Sequence, residues 1–281
     1  MKPKISVIIV TFNRRPLLKS CLESILHQES YKDYEIIVID NGSTDGTDNL
    51  VEATFKESVK YIRNSGRIPL NTCKNLGIQN ASGEIIAFID DDCIAPNNWL
   101  DTIEKSIADY DFIGGAVLPI LNTRFPQWWN NSLNWLIGIN PNPTGKFPPL
   151  GSNIAFKKDA LKELNKENNK NSGLLPYVED YYRVKQALKT GLSLKVIPGM
   201  LVYHHIPTER LKIKYLIKRS YAEGKAWGDY DKNIALLFIS LIKLFINPVR
   251  FIVFLNINYL FLAIVNISYI FNFLNIRTNR A

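Results

Sequence analysis

The sequence predicts an α/β fold with a doubly wound, mostly parallel β-sheet. The prediction depends on three apolar runs rich in β-branched residues, at Lys4–Phe12, Tyr34–Asp40 and Gly83–Asp90. Their nearly continuous apolarity is typical of strands that are covered on both faces. Helical periodicity between the runs indicates that the strands are parallel, because a parallel connection needs room for a helix.

Helix candidates lie between these runs and after them. The segment RPLLKSCLESILHQ repeats apolar side chains at helical spacing, and residues 47–57 and 72–80 are further candidates. A helix is also expected over YYRVKQALKT, closed by Gly191. The stretch Asn122–Pro149 is rich in Asn and Pro, which predicts a long irregular excursion of the kind that often serves as a lid.

Composition favours a globular α/β domain with an appended segment. The chain has 281 residues, of which 46% are hydrophobic. Its three cysteines form no C-x-x-C pair, so neither a disulfide framework nor a zinc site is predicted, and a reducing compartment fits best. The N-terminus enters a strand at once, without the apolar stretch of a secretory signal, so export is not expected.

The net charge of +8 is concentrated near the C-terminus. Residues 201–281 carry 11 Lys or Arg and 4 Asp or Glu, beside the most apolar stretch of the chain. This arrangement favours an anionic membrane surface over DNA or RNA, and the sequence has no recognisable nucleic-acid module.

The apolar C-terminal stretch predicts helices that associate with a membrane. Ile234–Ile246 is shorter than the roughly 20 residues that a bilayer crossing needs. Phe251–Leu274 is long enough, but its asparagines fall all around a helical wheel. Whether the segment spans a membrane is left open, and a helical dimer interface or a cover for the domain is the alternative.

Polar side chains follow each predicted strand at its carboxyl end. They are Thr11 and Asn13 after the first strand, Asp40 and Asn41 after the second, and Asp90, Asp91 and Asp92 after the third. Because ligands of open α/β sheets bind at the carboxyl ends of strands, these segments are expected to line one cleft. The glycine patterns of Rossmann and P-loop nucleotide sites are absent from the sequence.

The three adjacent aspartates indicate a divalent cation. Their carboxylates would repel one another unless a cation neutralised them, and Mg²⁺ or Mn²⁺ prefers oxygen ligands. A solvated acidic turn is the alternative. His204 follows the β-like run VIPGMLVY and is a candidate third metal ligand, although histidines at strand ends more often have a structural role.

Two further acidic segments each allow two interpretations. Asp40 ends a buried strand, where its carboxylate needs a donor such as a nucleobase N–H, but the DNGSTDG segment also fits a strand-to-helix turn. Glu179 and Asp180 precede a helix, so they either cap it or supply a general base.

Five segments in a fixed order resemble the family 2 glycosyltransferases of the GT-A fold, over residues 4–227. The segments are ISVIIVTFNR, DNGSTDGT, RNSGRIPLNTCKNLGIQNASGEIIAFIDDD, GSNIAFKKDAL and VEDYYRVKQALKTGLSLKVIPGMLVYHH. Lys74 stands where the family often has Arg, and Asn41 replaces a frequent second Asp.

The resemblance implies a role for each matched position. The donor nucleotide would be held by Thr11, Asn13, Asp40, Asn41, Lys74, Asp90 and Asp91. Asp90 and Asp92 would form the D-x-D pair that meets ribose and a metal-bound diphosphate, with His204 as the candidate third ligand of Mg²⁺ or Mn²⁺. The acceptor side would be lined by Gly151, Ser152, Asn153 and Glu179, and Asp180 would be the catalytic base.

The implied reaction is a single displacement with inversion at the anomeric carbon. Asp180 would deprotonate the acceptor hydroxyl, while the metal and Lys74 stabilise the departing nucleoside diphosphate. Where processive synthases carry a Q/R-x-x-R-W motif this chain has KRSYAEGKAW, which favours addition of one sugar per encounter.

The expected organisation is a catalytic domain followed by membrane-associated helices. Residues 1–120 would form the nucleotide-sugar-binding half, 121–227 the acceptor-binding half, and 228–281 the apolar helices. The expected partners are a UDP- or TDP-sugar, a saccharide or lipid-linked acceptor, and the cytoplasmic face of the cell membrane, in cell-envelope or exopolysaccharide synthesis. A sugar nucleotidyltransferase and a non-catalytic membrane scaffold of the same fold are the alternatives.

Overall fold

The computed structural model describes residues 3–29, 31–143, 151–161, 179–230, 234–254 and 256–278. Only the backbone is described at residues 179–182, 229–230, 234–235, 253–254 and 274–278. The chain forms two compact units, one of residues 1–120 and 140–205 and one of residues 121–139 and 206–281. The predicted boundary at residue 228 lies inside the second unit.

The first half of the sheet is parallel, as the apolar runs predict. Its strands are β1 (Ile5–Thr11), β2 (Tyr34–Asp40), β3 (Val59–Arg63) and β4 (Ile85–Phe88), in the order β3-β2-β1-β4. β1, β2 and β4 correspond to the three predicted runs. β3 is not predicted, because its five residues VKYIR, at the edge of the sheet, include two charged side chains and lack the continuous apolarity of the other runs.

Helices cover both faces of these strands. They are α1 (Arg15–Leu26), α2 (Thr47–Leu50), α3 (Leu70–Asn80) and α4 (Trp99–Ser106), and a π-helical turn at Val51–Phe55 continues α2. Val7 and Ile9 lie in one buried cluster with Leu22 of α1, whereas Ile8 lies in a second cluster with Cys73 of α3. Successive residues of β1 therefore pack on opposite sides of the sheet, which makes the fold doubly wound.

The second half of the sheet adds antiparallel strands. The sequence indicates two of them, as strand-like runs after Asn153 and over VIPGMLVY, but not their antiparallel pairing. The strands are β5 (Cys93–Ile94), β6 (Phe112–Leu121), β7 (Ile154–Lys157) and β8 (Leu194–Ile206), and the sheet order continues β4-β7-β6-β8-β5. β7 pairs antiparallel with both β4 and β6, and β5 pairs antiparallel with β8. α5 (Glu179–Lys189) precedes β8, and Gly191 follows it at φ 84°, as the sequence predicts. The mixed α/β class is confirmed.

The second unit consists of helices. They are two 3₁₀ helices (Asn131–Ile137 and Thr208–Leu211), α6 (Ile213–Tyr230), α7 (Ile234–Phe254) and α8 (Asn258–Thr278). Part of the predicted irregular excursion is therefore helical, because Leu133 and Leu136 are buried in one cluster with Phe261 of α8. Trp135 Nε1 also donates to Asn258 Oδ1 at 3.0 Å. Residues 144–150 of the excursion lie outside the described residues.

The C-terminal helices are present, as predicted. None of the helices in the described part of the chain combines the length and the apolarity that a bilayer crossing requires.

Candidate functional site

A cleft of about 400 Å³ opens at the carboxyl ends of β1 and β4, within the first unit. Apolar strand residues form part of its wall, and the polar or aromatic side chains that line it are Thr11, Phe12, Arg14, Asn41, Arg67, Lys74, Phe88, Asp90 and Asp91. The predicted convergence of strand ends is therefore observed. Of the predicted donor residues, Asn13 and Asp40 are not among those that line the cleft.

Arg14 connects two of the three adjacent aspartates. Its Nη1 atom donates to Asp91 Oδ1 at 2.8 Å and to Asp92 Oδ2 at 2.9 Å. Asp91 Oδ2 accepts a further hydrogen bond from Thr11 Oγ1 at 2.7 Å. The sequence analysis missed Arg14, although it closely follows β1 at the same edge of the sheet as Thr11, and this position is the signal that could have identified it.

Burial controls the electrostatics of this acidic edge. It raises the pKa of Asp91 to about 6, although the Arg14 charge opposes the shift. Burial also raises the pKa of Asp90, against the opposing charge of Lys74 and with a contribution from Asp92. Carboxyl groups that ionise reluctantly in a buried cluster are stabilised in their charged form by any further cation nearby. The edge of the cleft therefore favours a cationic ligand.

The pairing of β5 with β8 brings His204 beside Asp92. Cys93 is the register partner of His204, and His204 Nε2 lies 3.3 Å from Asp92 Oδ2. Both side chains are buried. Two of the three predicted metal ligands are therefore in contact, and the third, Asp90, lines the cleft. Among the residues whose side chains are described, no three His, Cys, Asp or Glu residues form a ready-made metal site.

Asp40 and Asn13 build the loop that follows β2. Asp40 is fully buried, and its carboxylate accepts hydrogen bonds from Ser43 N at 2.8 Å and from the Tyr61 hydroxyl. Asn13 has a left-handed backbone with φ 52°, and its Oδ1 accepts from Thr44 N at 2.7 Å. The strand-to-helix turn is thus observed, whereas contact of either side chain with a nucleoside stays a prediction.

Asn41 fixes the loop that carries Arg67 into the wall of the cleft. Its Oδ1 accepts from Ile68 N and its Nδ2 donates to Ile68 O, both at 2.9 Å. The Arg67 guanidinium lies 4.6 Å from the centre of the Phe12 ring, at cation–π distance. The sequence analysis missed Phe12 and Arg67, in the second case because the preceding strand β3 was not recognised.

Two buried cations flank the Phe88 ring at the end of β4. Lys74 Nζ lies 5.6 Å from the ring centre, and the Arg183 guanidinium lies 5.8 Å from it. Lys74 is 4% exposed and lines the cleft. The predicted diphosphate-neutralising lysine is therefore at the cleft, and the buried Arg183 lies close to the same ring.

Asn153 has a structural task inside the first unit. It is fully buried, its Nδ2 donates to Ala116 O and Met200 O at 2.8 Å each, and its Oδ1 accepts from Trp99 Nε1 at 2.9 Å. These bonds tie β6 and β8 to α4. The neighbouring Gly151 and Ser152 are also buried. Contact of these three residues with an acceptor stays a prediction.

Glu179 and Asp180 form the start of α5, as predicted. Their side chains lie outside the described residues. The capping role and the general-base role of these two residues therefore both stay predictions.

Two proteins that are similar to this chain are named for action on lipid-linked sugars. A GalNAc(5)-diNAcBac-PP-undecaprenol beta-1,3-glucosyltransferase of Campylobacter jejuni is 39% identical over 120 residues, which cover 41% of this chain and 38% of that protein. A glucosyl-dolichyl phosphate glucuronosyltransferase of Haloferax volcanii is 23% identical over 247 residues, which cover 82% of this chain and 77% of that protein. The chain thus matches well under half the length of the Campylobacter protein.

A solved structure shares the fold of this chain, and a family model matches its sequence. The mannosyltransferase PcManGT from Pyrobaculum calidifontis, solved in complex with GDP-Man and Mn²⁺, aligns with a TM-score of 0.57 and 20% identity. The alignment covers 99% of this chain and 75% of that one, so the fold is shared. The model of glycosyl transferase family 2 matches residues 6–164, which is more than half of the chain. The chain therefore belongs to glycosyl transferase family 2.

Proposed function

We propose that this protein transfers one sugar per encounter from a nucleoside-diphosphate sugar to a saccharide or lipid-linked acceptor, with inversion at the anomeric carbon. The reaction would belong to cell-envelope or exopolysaccharide synthesis at the cytoplasmic face of the membrane. UDP- and TDP-sugars are the expected donors, and GDP-sugars are the alternative that the PcManGT complex raises.

The observation that carries the proposal is the composition of the cleft. Its volume of about 400 Å³ lies within the roughly 300–1,000 Å³ of typical small-molecule sites. Arg14, Arg67 and Lys74 contribute positive charge to its wall, and Phe12 contributes an aromatic surface. A nucleoside diphosphate has the complementary features, because its base is aromatic and its diphosphate is anionic.

The donor atoms beside the cleft fit a divalent cation. Carboxylate oxygens suit Mg²⁺ and Mn²⁺, and one or two protein carboxylates suffice where substrate phosphates complete the coordination. The 3.3 Å separation of Asp92 Oδ2 and His204 Nε2 is short enough for both atoms to contact one ion. Asp90, Asp92 and His204 would therefore hold Mg²⁺ or Mn²⁺. When bound, the ion would neutralise charge on the leaving diphosphate.

Different side chains would act on the donor and on the acceptor. Lys74 and Arg67 would bind and orient the diphosphate, Lys74 as a point charge. The acceptor oxygen would attack the anomeric carbon while the bond to the diphosphate oxygen breaks, and the nucleoside diphosphate would leave with the electron pair. Asp180 would take the proton of the acceptor hydroxyl. Attack from the face opposite the leaving group gives inversion.

Calorimetric titration of UDP, GDP, TDP and CMP, with and without Mn²⁺, tests the donor site. We expect one nucleoside diphosphate to bind in a metal-dependent way, and Asp92→Ala to weaken that binding at least about tenfold. Asp109→Ala is the matched control, because Asp109 is an exposed aspartate outside the cleft. Absence of binding by all four nucleotides, in either condition, would favour the non-catalytic scaffold.

A further inference from the structure

Helix α7 buries polar side chains and exposes apolar ones. Two polar side chains of the helix, Ser240 and Asn247, are buried, and they lie seven residues apart. Many of its large apolar side chains are exposed, and the most exposed of them are Phe238, Ile242, Phe245, Val249 and Ile252, at 58–75%. A helix that meets only water has the opposite arrangement, with its apolar side chains on the buried face.

The exposed side chains form a continuous stripe along the helix. Phe238, Ile242, Phe245, Val249 and Ile252 recur at alternating intervals of four and three residues, so they share one face. The stripe extends for about 21 Å along the axis, at 1.5 Å per residue. A contiguous apolar surface of this length on a soluble monomer marks a contact with a partner or a membrane.

The chemistry beside the stripe identifies the partner. Lys243 and Arg250 are exposed and lie about 130° around the helix from the centre of the stripe, at 100° per residue. Both therefore fall on one flank, between the stripe and the buried Ser240 and Asn247. α7 contains no Asp or Glu. An apolar stripe with cations along its flank is complementary to the acyl chains and anionic headgroups of a phospholipid leaflet.

Helices α6 and α8 of the same unit are in close contact. A Cβ atom at Gly224 of α6 would lie 2.0 Å from Val265 O of α8, so the two backbones approach closely. Gly228 follows four residues later, in a G-x-x-x-G pattern. Ser268 Oγ of α8 donates to Tyr221 O of α6 at 2.7 Å. Close contact at small residues, with hydrogen bonds between the helices, is a packing mode that this pair shares with helices inside membranes.

We propose that α7 is an in-plane lipid-docking helix, whose apolar stripe enters one leaflet of an anionic phospholipid bilayer while Lys243 and Arg250 contact the headgroups. The proposal rests on the membrane partner of the proposed function and adds the contact face, its depth and the charge of the lipid. Because the stripe lies along the helix axis, insertion to side-chain depth buries it completely without a bilayer crossing.

Co-sedimentation of the full chain with vesicles tests this contact. Vesicles of phosphatidylcholine with about a third phosphatidylglycerol should bind the protein, and pure phosphatidylcholine vesicles should bind it more weakly. The double variant Phe245→Asp, Ile252→Asp should lose at least about tenfold in affinity for the anionic vesicles. Lys243→Gln with Arg250→Gln should lose roughly 25-fold, mainly in the preference for anionic lipid, because each basic residue near the surface contributes about fivefold.

Leu188→Asp is the matched control, because Leu188 is an exposed apolar residue of the first unit. It should bind anionic vesicles like the unmodified protein. Unchanged binding by the Phe245→Asp, Ile252→Asp variant would overturn the proposal. So would a protein that ignores vesicles but forms a dimer that the double variant dissociates, since the stripe would then be a contact between two copies of this chain.

A label placed in the stripe reports its depth. The three native cysteines are buried, so Phe245→Cys offers an accessible thiol for an environment-sensitive dye. We expect a blue shift on anionic vesicles for this label and none for Lys105→Cys in α4, where the side chain is 69% exposed. A dye at residue 245 that remains in water on bound vesicles would contradict insertion.

Nucleotide titration of the Phe245→Asp, Ile252→Asp variant separates the two proposals. The donor cleft lies in the first unit, so the variant should bind nucleoside diphosphate like the parent. Vesicle binding without nucleotide binding in the parent would remove the proposed function and leave the lipid contact intact. The reverse result would remove only the lipid contact.

Discussion

Arg14 is the residue that most changes the description of the donor site. The acidic edge already contains one cation, because Arg14 bonds to both Asp91 and Asp92. A divalent ion held by Asp92 would share that carboxylate with the guanidinium. The charge of the edge is therefore balanced in part by the protein and in part, on our proposal, by the metal.

Arg14→Ala should destabilise the protein and increase its response to metal. Loss of the guanidinium leaves two buried carboxylates with one fewer donor each, and we expect the free energy of unfolding to fall by about 2 kcal/mol. Mn²⁺ should restore part of the loss, because it supplies the missing positive charge. Denaturant unfolding with and without Mn²⁺ measures both effects. Arg15→Ala, at the adjacent and exposed first residue of α1, should have little effect; equal losses in the two variants would argue against a special role of Arg14.

The residues of the site differ in how readily the sequence identifies them. Thr11, Asn41 and Asp90 are found because they follow strands, and strand ends converge wherever a parallel sheet forms. Arg14 satisfies the same criterion, but no local pattern distinguishes it from the adjacent, exposed Arg15. The structural task of Asn153 depends on partners 37, 47 and 54 residues away along the chain. No local pattern contains that information.

The strands of the sheet also differ in how readily the sequence predicts them. β1, β2 and β4 are recognisable because burial on both faces requires unbroken apolar runs. β3 is an edge strand with two charged side chains, and β6 and β7 pair antiparallel across a segment that has no helical crossover signal. Their partners are set by tertiary packing, which a single sequence does not encode locally.

The junction between β6 and β8 should depend on pH. Asp111, just before β6, accepts hydrogen bonds from Ser193 N and Ser193 Oγ, and these bonds hold the pKa of Asp111 below its usual value. The lowered pKa means that the charged carboxylate stabilises the folded state above about pH 4 and that this contribution is lost as the pH falls through the lowered pKa.

Asp111→Asn should therefore reduce the free energy of unfolding by about 0.5 kcal/mol at pH 7, a small value because the group is largely exposed. The difference from the parent should vanish near pH 2. Urea unfolding of both proteins across this range measures it. A loss at Asp111 that persists unchanged at low pH would exclude the charged bonds as its cause.

The contact between α6 and α8 leaves no room for a methyl group at position 224. Ala at position 224 would favour an isolated helix by about 1 kcal/mol over Gly. The clash with Val265 O outweighs this gain, so Gly224→Ala should lower the free energy of unfolding by about 2 kcal/mol. Gly199→Ala is the control, because a Cβ there meets nothing within 4 Å. A more stable Gly224→Ala protein would mean that the helices are further apart than described.

At the scale of the whole molecule, the two units have different chemistry. The first contains the doubly wound sheet and a cleft with cations, acids and an aromatic side chain. The second contains helices, of which α7 exposes a stripe of apolar residues, and its α6–α8 contact uses glycine and polar side chains. Composition predicts this contrast, because positive charge and apolar residues are both concentrated after residue 201. The assignment of residues 121–139 to the second unit is not predictable, since it depends on packing against α8.

Proton NMR of the sugar-transfer reaction tests the proposed function most directly. The unmodified protein, Mn²⁺, a panel of UDP-, TDP- and GDP-sugars and an undecaprenyl- or dolichyl-linked acceptor in anionic vesicles would be followed to product. We expect one donor to be consumed only when acceptor is present, the product to have the opposite anomeric configuration, and Asp180→Asn to be at least about 100-fold slower while it still binds the nucleotide. Retention of configuration, or equal turnover by Asp180→Asn, would contradict the mechanism proposed for this protein.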